Sequence, residues 1–348
     1  MLSSIKIQSF KVKDASQADY ASLNRHTNLL RREYLPDDPP IPLEESIQDL
    51  KKLPPFIDLY MWCAWDTNQS VIIAEGYVGL MRTEENQPLA QIDISVQPEY
   101  RRQGLGRQLL ALLTDAARAD NRRLLLAQTY DRIPSGEAFM TRLGAQKGLE
   151  GHVNQLRLAD LDHRLIECWL EQSRAHAVEF DLGLWDGLYP EGQLAAVAQL
   201  VELTNQQPLG DLDIEDMHMT PEQLRQSEQQ LFARGSQRWT FYIVEKQTGK
   251  FAGYTETVWN PNRPEILRQD MTGVFPEYRN KGLGRWLKAA MLDKVLKERP
   301  QVKYVRTGNA DVNAAMLKIN NELGFRPYMA NALWQVEINR ILAYLGRD

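Results

Sequence analysis

A chain of 348 residues, 43% hydrophobic and 25% charged, has the composition of a folded protein and enough length for two domains of ordinary size. Its net charge of −5 gives no basic excess to recommend nucleic acid or an anionic membrane as partner, so any anion must be held locally. Only two cysteines, no apolar run of membrane-spanning length and no secretory h-region argue against a disulfide framework, a Cys-rich zinc site and export, and set a cytoplasmic expectation.

In chain order, IKIQSFKV predicts a strand and residues 17–32 a helix, which the proline-rich LPDDPPIP ends by removing amide donors. A second helix is expected over 43–53. FIDLYMWCAW and SVIIAEGYVGLM are rich in aromatic and β-branched residues and flank the turn-forming DTNQ, the pattern of a hairpin. QIDISV alternates like a half-buried strand. After PEYRRQGLG comes LGRQLLALLTDAARA, with leucines at helical spacing, then a strand at RRLLLAQT, a short helix at SGEAFMTRLG and a last strand at HVNQLRL. A connecting helix is expected over 159–176. The same order then recurs: helices at GQLAAVAQLVELTNQ and TPEQLRQSEQQLFARG, the latter with Thr220 as N-cap, Pro221 in its first turn and Gly235 past its end. A hairpin around KQTG follows, then strand QDMTGV, a long helix, strand VKYVRT, helix DVNAAMLKINNELG and strand ALWQVEI. The expected domains are 1–158 and 177–348, each α+β with a mixed, largely antiparallel sheet flanked by helices.

The sharpest signal is a repeat. VQPEYRRQGLGR starts at Val96 and VFPEYRNKGLGR at Val274, and nine of the twelve positions are identical. In each copy a strand runs into a glycine-bounded turn that opens a helix. Glycine lets successive amides converge on an anion, and the helix start adds its unbonded N–H groups and partial positive charge. Arg101, Arg102 and Arg107 surround the first turn, and Arg279, Lys281 and Arg285 the second. The pattern describes a phosphate seat. It lacks GxxxxGK[ST], and Gly106 and Gly284 have no glycine three residues on, so neither a nucleotide-triphosphate loop nor a dinucleotide fingerprint is supported.

Arg-x-x-Gly-x-Gly between a strand and a helix resembles motif A of the GNAT superfamily of acyl-coenzyme A dependent N-acetyltransferases. The resemblance extends from about Ile5 to Ile338 and implies two tandem GNAT domains, the arrangement also found in mycothiol synthase. It implies acetyl-coenzyme A as cofactor and a small-molecule amine as acceptor. The backbone at Val96 and Val274 would take the pantetheine arm. Amides of Arg102, Gln103, Gly104, Leu105, Gly106 and Arg107, and of Asn280, Lys281, Gly282, Leu283, Gly284 and Arg285, would hold the diphosphate.

Motif B of the family places an Asn near the pantetheine and a Tyr to protonate the leaving thiolate. These map onto Asn313 and Asn320 in the second lobe and onto Ile133 and Met140 in the first, which sets the chemistry in the second lobe and leaves the first mainly structural or cofactor-binding. The family's common base position falls on Ala90 and Arg268, neither of which can serve. Ile92, Ile94 and Val96 share one strand face by period-two geometry, and a shift of 178 residues aligns them with Asp270, Thr272 and Val274. The polar pair Asp270 and Thr272 therefore either lines a cleft or forms a satisfied network, and Asp270, or Glu256 through a water, is the candidate base. Tyr254, Tyr304 and Tyr328 are possible replacement acids, though a core role is favoured for each. The acidic stretch DLDIED, 211–216, reads first as a solvated loop and second as a contact for a cationic substrate. The five histidines show no metal-ligand spacing.

Overall fold

A computed structural model describes residues 5–173 and 175–347. In chain order the elements are β1 (Lys6–Phe10), α1 (Gln17–Tyr34), α2 (Leu43–Lys51), β2 (Ile57–Trp65), β3 (Ile72–Met81), β4 (Leu89–Val96), α3 (Leu105–Ala119), β5 (Leu124–Tyr130), α4 (Pro134–Arg142) and β6 (Gln146–Arg157). There follow α5 (His163–Ser173), β7 (Phe180–Asp186), α6 (Leu194–Val201), α7 (Pro221–Ala233), β8 (Gln237–Glu245), β9 (Phe251–Trp259), β10 (Ile266–Val274), α8 (Leu283–Glu298), β11 (Tyr304–Ala310), α9 (Ala314–Glu322), β12 (Arg326–Glu337) and α10 (Ile338–Leu345). Thr220 caps α7 in a reciprocal capping box with Gln223, and Gly235 takes φ +79 beyond its end, as its sequence requires. The expected connecting helix is α5; residue 174 lies outside the described residues, as do the first four. Strand β7 and helix α10 were not anticipated. In β7 the charged and glycine positions of FDLGLWD hide an apolar alternation of Phe180, Leu182 and Leu184. No helix of the described residues is long and apolar enough to cross a membrane.

Two compact units emerge, and they do not follow the sequence halves. One comprises the chain up to Glu150, Leu209–Glu215 and everything from Met329; the other comprises Gly151–Pro208 and Asp216–Tyr328. The first unit's sheet runs β1-β2-β3-β4-β5-β12, antiparallel throughout except β4 with β5. The second runs β6-β11-β10-β9-β8-β7, antiparallel except β10 with β11. HVNQLRL and ALWQVEI are thus strands, but each closes the sheet of the opposite sequence half. Residues 331–337 pair with β5 and residues 151–157 with β11. Local pattern sets that a segment is a strand, while its partner is chosen by contacts distant in sequence, and in a duplicated chain the two choices look alike.

Each parallel pair is backed by the helix that follows it. In the first unit Leu110 and Leu113 of α3 pack on Val78, Ile92, Trp334, Val336 and Ile341. Burying one such leucine contributes about 1.5–3 kcal/mol. In the second unit Met291, Leu292 and Val295 of α8 pack on Trp239, Leu267, Val305 and Phe325.

The acidic stretch 211–216 is a loop with Asp211, Asp213, Glu215 and Asp216 exposed, as its first reading expects, and over most of its length it is strapped to the first unit. The Asp211 amide donates to the Gly148 carbonyl (2.8 Å), Asp213 pairs with Arg123 (2.5 Å), and Glu215 exchanges three hydrogen bonds with Asn86. Leu212 is buried against Gly148, where a Cβ would lie 2.3 Å from its side chain.

Strand β6 meets β11 as closely. A Cβ on Gly151 would stand 2.5 Å from the Asn309 carbonyl oxygen. Gly151→Ala is expected to lower the second unit's stability by about 1–3 kcal/mol, read as a shifted urea midpoint, since backbone on both sides must give way.

Candidate cofactor cradles and acceptor site

Both glycine turns fold as their sequence dictates. Arg102 and Asn280 take φ +63, Gly104 +89 and Gly282 +80, so left-handed residues alternate just before α3 and α8. Among the described residues no acceptor bonds the backbone N–H of residues 102–107 or 280–285. The first helical bonds come after them, from Gln108 to Gly104 and from Trp286 to Gly282, each 3.1 Å. Six successive amides per turn remain open to an anion. Gly106 and Gly284 have no positive φ, and a Cβ there would meet nothing nearer than Ile94 at 4.0 Å or Ile319 at 3.5 Å. Neither strain nor packing demands glycine at these positions, and the missing Cβ leaves the backbone open to close approach. The residues present fit a diphosphate.

The cations are less concentrated on the turns than their spacing suggests. Arg107 donates to the Tyr344 and Leu345 carbonyls at the end of α10, Arg285 makes a two-pronged pair with Glu322 (2.9 Å each), and Lys281 pairs with Glu179 (3.4 Å). Arg101 bonds Glu33 and the Val96 carbonyl, and Arg279 the Val274 carbonyl. These two valine carbonyls, expected to receive the pantetheine arm, each already accept one bond from their own turn. Arg102 stands exposed at the first turn.

The parallel strands part beside each cradle. Pairing of β4 with β5 stops at Gln91 opposite Leu126, and pairing of β10 with β11 at Arg268 opposite Arg306. Beyond these points the strands run to Val96 and Val274 without that neighbour.

Strand β10 carries a bulge that its first-unit counterpart lacks. Gln269 pairs with Thr257 and Thr272 with Thr255, so Asp270 and Met271 together oppose Glu256. The bulge corrects the expected face: Asp270 does not share a side with Thr272 and Val274. The residue that joins Thr272 is Gln269, whose amide donates to Thr255 Oγ1 (2.9 Å), and Thr255 and Thr272 bond at 2.7 Å. Gln269 and Thr272 replace Ile92 and Ile94 as a satisfied, buried network. Asp270 pairs with Arg268 (2.6 Å).

Glu256 accepts from Tyr189 Oη (2.6 Å) and Thr240 Oγ1 (3.0 Å), with Arg238 at 3.7 Å. Burial raises its carboxyl above the ordinary range, against the pull of Arg238 and the two hydroxyls. Asn320 is buried; its Oδ1 accepts from Lys288 Nζ (3.0 Å) and its Nδ2 donates to Asn309 (2.8 Å). Asn313 caps α9 by accepting from the Met316 amide (3.3 Å). Tyr254 lies in the core. Asp270, Glu256 and Asn320 are thus each held in a local partnership.

A polar face in the first unit went unread. Cross-strand register sets Tyr77 opposite Asp93 and Glu75 opposite Ser95, so all four share the side of the sheet away from α3. Gln97 donates to Ile72 O and lies 3.3 Å from His26 Nδ1; His26 Nε2 is then the donor to Ser95 Oγ (3.0 Å), and Ser95 donates to Glu75 (3.3 Å). Burial lowers His26 to about 4 and keeps it neutral. Tyr34 and Tyr130 stack with centroids 4.7 Å apart, and both feel the Asp93 charge. Burial lifts Asp93 to about 6, and burial with the Asp93 charge lifts Glu75 to about 8. The signal available in the sequence was the alternation of Glu75 with Tyr77 and of Asp93 with Ser95.

A model of the acetyltransferase (GNAT) domain matches residues 58–144, and one of the acetyltransferase (GNAT) family matches 197–325. Among solved structures, the chain is similar to a tandem GNAT protein from the clavulanic acid biosynthesis pathway, with 24% identity, TM-score 0.76 and coverage of 96% of this chain and 98% of that one. It is also similar to a GCN5-related N-acetyltransferase from Sphaerobacter thermophilus, with 14% identity, TM-score 0.65 and coverage of 95% and 96%. No curated protein matches the chain by sequence.

Glu75 and Asp93 hold protons more tightly folded than unfolded. Their contribution to stability is full below the unfolded carboxylate range and is lost as pH rises through about 6 and then about 8. Glu75→Gln is therefore expected to melt higher than the parent at about pH 9, by roughly 2–4 °C. The gap should narrow toward about pH 5 in thermal scans.

Proposed function

We propose, on the premise that the chain belongs to the GNAT superfamily and carries two of its domains, that it transfers an acyl group, acetyl in the first instance, from coenzyme A to a primary amine of a small molecule. The observation that carries this reading is the doubled run of six unbonded amides, each beside a parallel strand pair that opens. Acyl-coenzyme A would supply a thioester whose carbonyl carbon exchanges its C–S bond for a C–N bond, the sulfur leaving with the electron pair and taking a proton. The amides of 102–107 and 280–285 hold the diphosphate, and the strand edges beyond Gln91 and Arg268 receive the extended arm. The acceptor must shed a proton before its lone pair can attack, so transfer needs a carboxylate free to take that proton. In the second unit, where the sequence set the chemistry, Asp270 is held by Arg268 and Glu256 by Tyr189 and Thr240.

A second reading, coenzyme A binding without transfer, is favoured by Asn320, which stands where the family's thiolate-protonating tyrosine is expected and is bound to Lys288 and Asn309. Calorimetry beside a thiol-release assay over an amine panel separates the two. The parent chain is expected to bind two equivalents of acetyl-coenzyme A, and Gly104→Glu and Gly282→Glu one each, because a carboxylate and a strained left-handed φ then occupy the cradle. Thiol release with at least one amine supports transfer. Binding without release on any amine supports the second reading.

A further inference from the structure

We propose that the first unit is the one that takes the acceptor, holding a primary ammonium group between the Asp93 and Glu75 carboxylates with the Tyr34–Tyr130 stack as the wall for its carbon skeleton. The inference rests on the transfer reading above and names the unit and residues that reading leaves open.

Among the described residues neither carboxylate has a cationic partner. Glu75 accepts one bond, from Ser95, and no hydrogen bond or ion pair to the Asp93 side chain is present. Both side chains are half-buried and so partly withdrawn from water. Two neighbouring carboxylates removed from water are costly unless a positive charge joins them. The nearby cations are committed elsewhere: Arg31 to Asp38 (2.6 Å) and the Pro39 carbonyl, Arg101 to Glu33, and one Arg132 nitrogen to the Tyr34 carbonyl. His26 is neutral and faces Ser95. No group of three His, Cys, Asp or Glu among the described residues is placed for a metal ion. The missing partner is a ligand cation, and the tyrosines suit an organic one.

Position supports the same occupant. Asp93 lies just beyond the point where β4 leaves β5, three residues before Val96. That is about 10 Å along the strand from the entrance to the cradle, within reach of an extended acyl carrier. The buried Gln97–His26–Ser95 chain ends on Glu75 and fixes its orientation. In the transfer step the ammonium N–H proton passes to Glu75, leaving a neutral amine and a carboxylic acid; the freed lone pair forms the C–N bond, the C–S bond breaks with its electron pair on sulfur, and the thiolate takes the second N–H proton that the new amide loses. A carboxyl that titrates near neutrality matches this task.

Among the described residues the second unit has no equivalent pair of unpaired carboxylates. By register, Tyr254 stands in the place of Glu75, Glu256 in that of Tyr77, Gly273 in that of Ser95 and Phe275 in that of Gln97. Its one strand carboxylate comparable to Asp93 is Asp270, which Arg268 neutralises.

The test titrates butylamine, 1,4-diaminobutane, phenethylamine and glucosamine into the full chain with saturating acetyl-coenzyme A, at about pH 6 and about pH 8. At least one amine is expected to bind the parent, more tightly at the higher pH as both carboxyls ionise. Asp93→Asn and Glu75→Gln should each weaken that binding more than tenfold while acetyl-coenzyme A affinity stays within about threefold, which also reports that the variants fold. Asp270→Asn should bind as the parent does. Absence of binding by all four amines, or binding that survives both first-unit substitutions, overturns the site. Amine binding lost in both variants without thiol release from the parent supports the site and overturns transfer.

Discussion

The strand-to-helix turn that leaves its amides unbonded is the constraint from which the rest of each unit follows. Six N–H groups in succession are tolerable only at a surface, where water or an anion satisfies them. That requirement keeps the turn at the rim of the sheet and the helix start pointing outward. Beside each such turn the preceding strand ends clear of its parallel neighbour. Residues on the opposite side are free to build a tightly packed core, and Leu105 and Leu283, the first residues of their helices, are already buried.

From this shared frame the two units have diverged in what they bury. The face under α3 is apolar, with Ile92, Leu110 and Met140 in one cluster. Under α8 the corresponding places hold Gln269, Lys288 and Asn320. Burial pushes the Lys288 ammonium down to about 7, and it donates a hydrogen bond to the neutral Asn320 amide. Polar networks of this kind add little net stability but restrict the packings a core can adopt. On the other face the pattern reverses, with open carboxylates in the first unit and engaged ones in the second. Each unit has placed its unusual polar groups on the side that the other keeps plain.

The sequence made legible whatever is local. The GLG turns, the Thr220 cap and the hairpins are fixed by residues within a few positions of one another, and all fold as their types demand. What escaped depends on register or on distance. The bulge at Asp270 and Met271 inserts one residue that a count from the glycines cannot detect, so the aligned triplet fell on two faces. The face shared by Glu75 and Asp93 requires the pairing of β3 with β4, which the intervening loop sets. Asn313 sits at the cap and Asn320 within the helix their motif implied, yet their side chains turn to the Met316 amide and to a buried lysine.

The exchange of closing strands gives the order of synthesis a meaning. Strand β5 emerges from the ribosome roughly two hundred residues before the segment that completes its sheet, a separation that favours slow closure. Until then its outer edge stays bare, and bare edges invite pairing with other chains. A gene severed midway between the repeats would yield two polypeptides, each bearing a strand that belongs to the other. Mixed together, such fragments have a built-in reason to recombine, as complementary pieces rather than as independent modules.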